Sequence, residues 1–199
     1  DLNQSSKTGK QIKEVYAGAE YIRYYETEPE EKTDNIKNWF ARGQNFVQCY
    51  SEANPGAVLA RSNQSDEYVL LLPESTMKVE ITTESAKQEI SGYSLTIIPP
   101  GKSEIKVLTE GRLVRLFSIK AEDLIDKCCN AKSYEVPHPN VASFNPSPDP
   151  KEGYKIRTYS LDVPQEDGRF GRIWRCSTFM VNYLDPAVGP RDRDKMSPH

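Results

Sequence analysis

The sequence predicts an all-β chain. Hydrophobic alternation of period two dominates from Trp39 to Lys120. Turn residues break that alternation about every eight to twelve residues, the spacing of a β-sandwich or barrel. Helix signals are confined to the stretch after Lys120.

The elements follow in order. Phe46-Val47-Gln48-Cys49-Tyr50 alternates as a half-buried strand, and Asn54-Pro55-Gly56 reads as a turn. Ala57 to Ala60 is a short strand and Asn63 to Asp66 a loop. Glu67 to Leu72 is apolar almost throughout, which predicts a strand covered on both faces. Met77 to Thr82 alternates cleanly. Gly92-Tyr93 opens a strand, Ser94 to Ile98, that Pro99-Pro100-Gly101 ends. Ile105 to Val107 and Leu113 to Ile119 flank a turn at Thr109-Glu110-Gly111. Ala121 to Lys127 carries acids early and a base late, as a short helix does. Pro137, Pro139, Pro146, Pro148 and Pro150 then exclude a central strand, because Pro has no ladder donor.

Composition narrows the function classes. The chain has 199 residues, of which 37% are apolar, with 11 Tyr, 6 Phe and 2 Trp. That is core material for one domain or one and a half. The 26 basic and 29 acidic residues leave no positive excess for phosphates, so nucleic acid is not an expected partner. No apolar run approaches the roughly 20 residues that span a bilayer. Cys49, Cys128, Cys129 and Cys176 show no metal-type spacing and read as free thiols in a cytoplasmic protein. No G-x-S-x-G or phosphate loop occurs; Gly101-Lys102-Ser103 is the end of a turn between two strands.

After the Pro-rich segment the chain begins again. Tyr154 to Tyr159 echoes Tyr21 to Tyr25, Gly171 to Arg175 echoes Trp39 to Gly43, and Phe179 to Asp185 echoes Phe46 to Glu52. The copies stand about 133 residues apart, as from Phe46 to Phe179, which fits a duplicated domain. The expected organisation is an N-terminal arm with first strands (residues 1–38), a barrel (39–129), a Pro-rich linker (130–150) and the start of a second, incomplete unit (151–199). The strands of that unit are expected to pack on the first barrel or to pair across a homodimer.

Two motifs sit inside the barrel. Gly56-Ala57-Val58-Leu59-Ala60-Arg61-Ser62-Asn63-Gln64-Ser65-Asp66-Glu67 and Gly92-Tyr93-Ser94-Leu95-Thr96-Ile97-Ile98-Pro99-Pro100-Gly101-Lys102-Ser103-Glu104 resemble the paired motifs of the cupin superfamily in turn residues and spacing, with one residue inserted in the second. The resemblance implies a double-sheet jelly roll, also called a double-stranded β-helix, and the whole looks like a bicupin with a degenerate first barrel. The family's motif-one histidines fall on Arg61 and Asn63, and its motif-two histidine on Glu104; Glu67 retains the family's Glu. A guanidinium offers only donors, and imidazole nitrogens are absent, so no metal is expected in this barrel.

Arg61, Asn63, Glu67 and Glu104 are therefore expected around the barrel cavity. They form either an ion pair that plugs the former metal site or a site that greets a small anion through Arg61. By the resemblance, His199 opens a His-x-His pair only if a longer parent chain continues into a second barrel, where a divalent metal would sit. Whether the chain is an enzyme is left open by the residues. The expected function is a cupin-fold protein of small-molecule metabolism with a structural first barrel. The alternatives are a non-catalytic module for small anions or sugar acids, and a dimerisation scaffold.

Overall fold

The computed structural model describes residues 20–164 and 172–184. His199 lies outside them. Along the chain run β1 (Glu31–Lys32), β2 (Ile36–Arg42), β3 (Phe46–Ala53), β4 (Val58–Gln64), β5 (Tyr68–Leu72), β6 (Lys78–Thr83) and β7 (Lys87–Ser91). There follow β8 (Ser94–Ile98), β9 (Gly101–Val107), β10 (Gly111–Ser118), the helix α1 (Glu122–Ile125), β11 (Arg157–Ser160), β12 (Ile173–Arg175) and β13 (Met180–Asn182).

The strand pairing is that of a jelly roll. β6 and β7 form an antiparallel hairpin. Outward from that tip, β5 pairs with β8, β4 with β9, and β3 with β10, all antiparallel. One long two-stranded ribbon is thus rolled up, and its turns fall alternately into two sheets. The larger sheet has the order β1-β2-β3-β10-β5-β8-β11 and the smaller β4-β9-β6-β7. The double-stranded β-helix expected from the sequence is the observed fold.

Local chemistry explains the corners. Gly92 starts the return from β7 to β8 where its Cα faces the carbonyl of Glu74; a Cβ there would stand 1.8 Å from that oxygen. Gly101 has φ of +98°, a left-handed conformation that lets the chain turn out of Pro99-Pro100 into β9. β7 exposes Lys87, Gln88 and Glu89 and turns Ile90 into the core, so it carries almost no alternation for a reader of the sequence.

The core fills the space between the sheets. Leu59, Tyr68, Leu70, Leu72, Val79, Ile81, Ile105, Val107, Leu113 and Phe117 are all buried there. Each such side chain contributes about 1.5–3 kcal/mol of transfer free energy. A second apolar cluster lies on the opposite face of the larger sheet. There Val69, Leu95 and Ile97 meet Leu161 and Cys176, with Trp174, Phe179 and Val181 packed against them. Both faces of β5 are therefore covered, which is why it reads as an unbroken apolar run.

The C-terminal segment supplies that second cover. β11 adds to the large sheet beside β8, in the register Arg157↔Ile97 and Tyr159↔Leu95. β12 and β13 make a separate antiparallel hairpin, with Trp174 opposite Val181. The Pro-rich stretch between barrel and β11 runs over the surface without joining a ladder. Gln44 and Asn45 hold it by donating to the carbonyls of Val141 and Ala142.

Candidate functional site

The inward-facing polar residues gather at one mouth of the barrel, where α1 covers the core. Leu59 and Arg61 on β4 pair with Ile105 and Ser103 on β9 and share their inner face. The β4–β9 register then shifts between Arg61 and Gln64. This bulge turns Gln64 inward and leaves Asn63 outside.

A continuous set of hydrogen bonds results. Both terminal nitrogens of Arg61 donate to the two oxygens of Asp123 on α1, at 2.6 and 2.9 Å. Arg61 Nε donates to Gln64 Oε1 at 2.9 Å. Gln64 Nε2 donates to Asp66 Oδ1 at 3.0 Å, and Ser118 Oγ to Asp66 Oδ2 at 2.5 Å. Beside this set, Tyr68 and Ser103 share a hydrogen bond of 2.9 Å between their hydroxyls. Tyr68 stacks on Phe117 with ring centres 4.8 Å apart. Burial pushes the Tyr68 phenol above its usual pKa, against the opposing effects of Ser103, Arg115 and Arg61. It is a neutral hydroxyl rather than a phenolate. The hydrogen bonds of Arg61, opposed by partial burial, hold Asp123 below the usual aspartate value.

Of the four residues expected around the cavity, Arg61 alone faces the interior. Asn63 and Glu104 are exposed. Glu104 pairs with Ala60 on the outer side of the small sheet, and Ser103 takes the inward place. Glu67 is fully buried but on the other face of the large sheet, with Val69 rather than Tyr68. It accepts from Arg157 Nη2 at 2.7 Å and from the amide and hydroxyl of Ser177, both at 2.8 Å. Its backbone carbonyl accepts from Thr178 Oγ1 at 2.8 Å. Arg61 pairs with neither Glu67 nor Glu104; its partners are Asp123 and Gln64, and through Gln64 it joins Asp66 and Ser118. A side-chain period of two makes each one-residue offset a change of face.

These residues do not fit a metal. Among the described residues no group of three or more His, Cys, Asp and Glu is placed to hold one. At the mouth, Arg61 adds a fixed positive charge, and both oxygens of Asp66 are committed to Gln64 and Ser118. The thiols offer no substitute: Cys128 is buried and its pKa is pushed up to about 12 by that burial, and Cys49, Cys128, Cys129 and Cys176 are all free.

Deeper in the barrel lies a residue that sequence reading passed over. Arg115 on β10 points inward between Leu113 and Phe117 and is 5% exposed. Its Nη2 donates to the Cys49 sulfur at 3.1 Å, and its guanidinium stands 5.5 Å from the Phe117 ring centre.

No family model and no curated protein matches the chain. Solved structures similar to it include KdgF from Halomonas sp., at 15% identity and a TM-score of 0.45, over 52% of this chain and 98% of that one. An RmlC-like cupin from Shewanella frigidimarina aligns at 16% identity and a TM-score of 0.45, over 53% of this chain and 96% of that one. A salicylate 1,2-dioxygenase from Pseudoaminobacter salicylatoxidans aligns at 10% identity and 0.40, over 48% of this chain and 29% of that one. The jelly roll assigned to this chain rests on its strand pairing.

Proposed function

We propose that this chain is a cupin-type jelly roll of small-molecule metabolism whose barrel works without a metal, as the rigid body that carries the C-terminal segment. In this reading, metal-dependent chemistry belongs to a second barrel that residues 151–199 begin. The observation that carries the proposal is the run Asp123–Arg61–Gln64–Asp66–Ser118. It commits every polar side chain of that set to a neighbour, and it runs through Arg61, the position where the resemblance puts the first imidazole of motif one. Such a network fixes one arrangement of the mouth and leaves no free donor pair for a cation.

The experiment is metal analysis of the purified chain after exposure to manganese, iron and nickel salts and buffer exchange. The expected result is no stoichiometric metal and an unchanged urea midpoint in chelator. A parent chain that continues past His199 into a complete second barrel is expected to retain about one ion per chain. Stoichiometric metal in the present chain, lost on Asp66→Ala, would overturn the reading.

A further inference from the structure

The barrel has an open seam where β1 and β2, at the edge of the large sheet, face β4, at the edge of the small one. A cavity of about 570 Å3 lies there, on the scale of small-ligand sites. Part of its wall is apolar, formed by Phe40, Leu59 and Leu124. The lining also carries four cations, Lys32, Arg61, Arg115 and Lys127, against one carboxylate, Glu31.

Two of those cations are already answered. Arg61 is paired with Asp123, and Lys127 Nζ with Glu31 Oε1 at 2.6 Å. Arg115 makes no ion pair among the described residues. Its Nε is buried with no hydrogen-bond partner, and the partner of its Nη2 is a thiol, a weak acceptor. Glu31 feels the Arg115 charge across the cavity but does not touch it, being held by Lys127 and by Asn38 Nδ2 at 3.1 Å. A guanidinium nine-tenths buried without a counter-ion is costly, and the missing partner is an acceptor with negative charge.

We propose that this cavity binds a small organic carboxylate. Its carboxylate lies on Arg115 and its apolar body lies against Phe40, Leu59 and Leu124. A planar carboxylate matches the guanidinium fork, and the apolar wall rewards a hydrocarbon body that inorganic anions lack. Glu31 on the same wall disfavours a dianion. This site stands apart from the metal question and is tested separately from it.

The test is calorimetric titration of the full chain with benzoate and hexanoate, with benzamide as the uncharged counterpart and inorganic phosphate as the anion without an apolar body. Both carboxylates are expected to bind with Kd of about 0.1–1 mM. Benzamide and phosphate are expected to be weaker by about tenfold or more, the loss that follows when a charged hydrogen-bond pair or the apolar contact is missing. Arg115→Met is expected to weaken benzoate by about tenfold or more. Circular dichroism and a thermal melt establish that this variant is folded. The double variant Lys32→Gln/Lys127→Gln changes two half-exposed or exposed side chains and keeps the test decisive if Arg115→Met does not fold; its expected loss is about fivefold, from removal of two nearby cations. Four results would each overturn the proposal: no binding of either carboxylate at about 10 mM, benzamide binding as well as benzoate, phosphate binding more tightly than both carboxylates, or benzoate affinity unchanged in the folded variants.

Discussion

Glu67 is where the C-terminal segment is fastened to the barrel, and Glu67→Ala measures how firmly. The carboxylate receives three donors, from Arg157 and twice from Ser177, at 2.7, 2.8 and 2.8 Å. Charge-assisted bonds are worth about 1.5–3 kcal/mol each, but they share one acceptor and do not add. The better guide is the cost of breaking a buried pair by removing one partner, about 3–5 kcal/mol. Arg157 keeps 23% of its side chain exposed, so water recovers part of its solvation and the lower end applies. Glu67→Ala is therefore expected to cost about 3 kcal/mol, and Glu67→Gln, which keeps an acceptor for Ser177, about 2 kcal/mol. Adding Arg157→Met to Glu67→Ala removes the stranded cation and is expected to recover about 1 kcal/mol. Urea unfolding followed by circular dichroism gives the totals, and hydrogen exchange gives their location. Exchange is expected to rise first in residues 172–184, because the hairpin can lift off the face of the large sheet before the barrel opens. A Glu67→Ala protein within about 0.5 kcal/mol of the parent chain, with unchanged exchange across 172–184, would refute the fastening role.

Other outcomes follow from the barrel mouth. Tyr68→Phe leaves the Ser103 hydroxyl without its buried partner and is expected to cost about 1–2 kcal/mol by urea unfolding. Asp66→Ala strands Gln64 Nε2 and Ser118 Oγ together and is expected to cost about 3 kcal/mol in the same assay. The folded-state pKa of Asp123 lies below its usual 3.8, so the Asp123–Arg61 contribution is complete above that value and is lost as pH falls through the lower folded one. The stability difference between the parent chain and Asp123→Asn is thus expected to be flat from neutral pH to about pH 4 and to shrink below it, which acid titration at fixed urea measures. Gln64→His with Ser103→His places two imidazoles on the inner face near Asp66 and is expected to give calorimetric nickel binding, whereas Asn63→His with Glu104→His points both into solvent and is expected to give none.

Much of the fold was legible because its strands obey simple patterns. Clean alternation at Met77 to Thr82 predicts β6, and the apolar run at Tyr68 to Leu72 predicts a strand covered on both sides. What went unread has physical causes. β7 is an edge strand with one inward apolar residue, Ile90, so its pattern is nearly all solvent face. β2 was not separated from the arm before it, because the covering of Asn38, Trp39, Phe40 and Ala41 comes from both sides and erases the alternation.

The site was less legible than the fold, and unevenly so. For β9 the signal was present: Lys102, Glu104 and Lys106 share one parity, and Ser103, Ile105 and Val107 the other. Apolar Ile105 and Val107 define the inner face, so parity alone turns Ser103 inward and Glu104 outward. For β5 parity was silent, since Val69 and Leu71 on the outer face are as apolar as Leu70 and Leu72 on the inner one; nothing local distinguishes the side of Asp66 from that of Glu67. For β4 parity misleads, because Leu59 and Arg61 carry it forward to Asn63 and the bulge then hands the inner face to Gln64. Spacing between motif residues survives such changes while the side chains beneath it rotate out. A motif match across a bulge fixes the path of the backbone, and the identity of the residue facing the cavity follows from the pairing of the next strand.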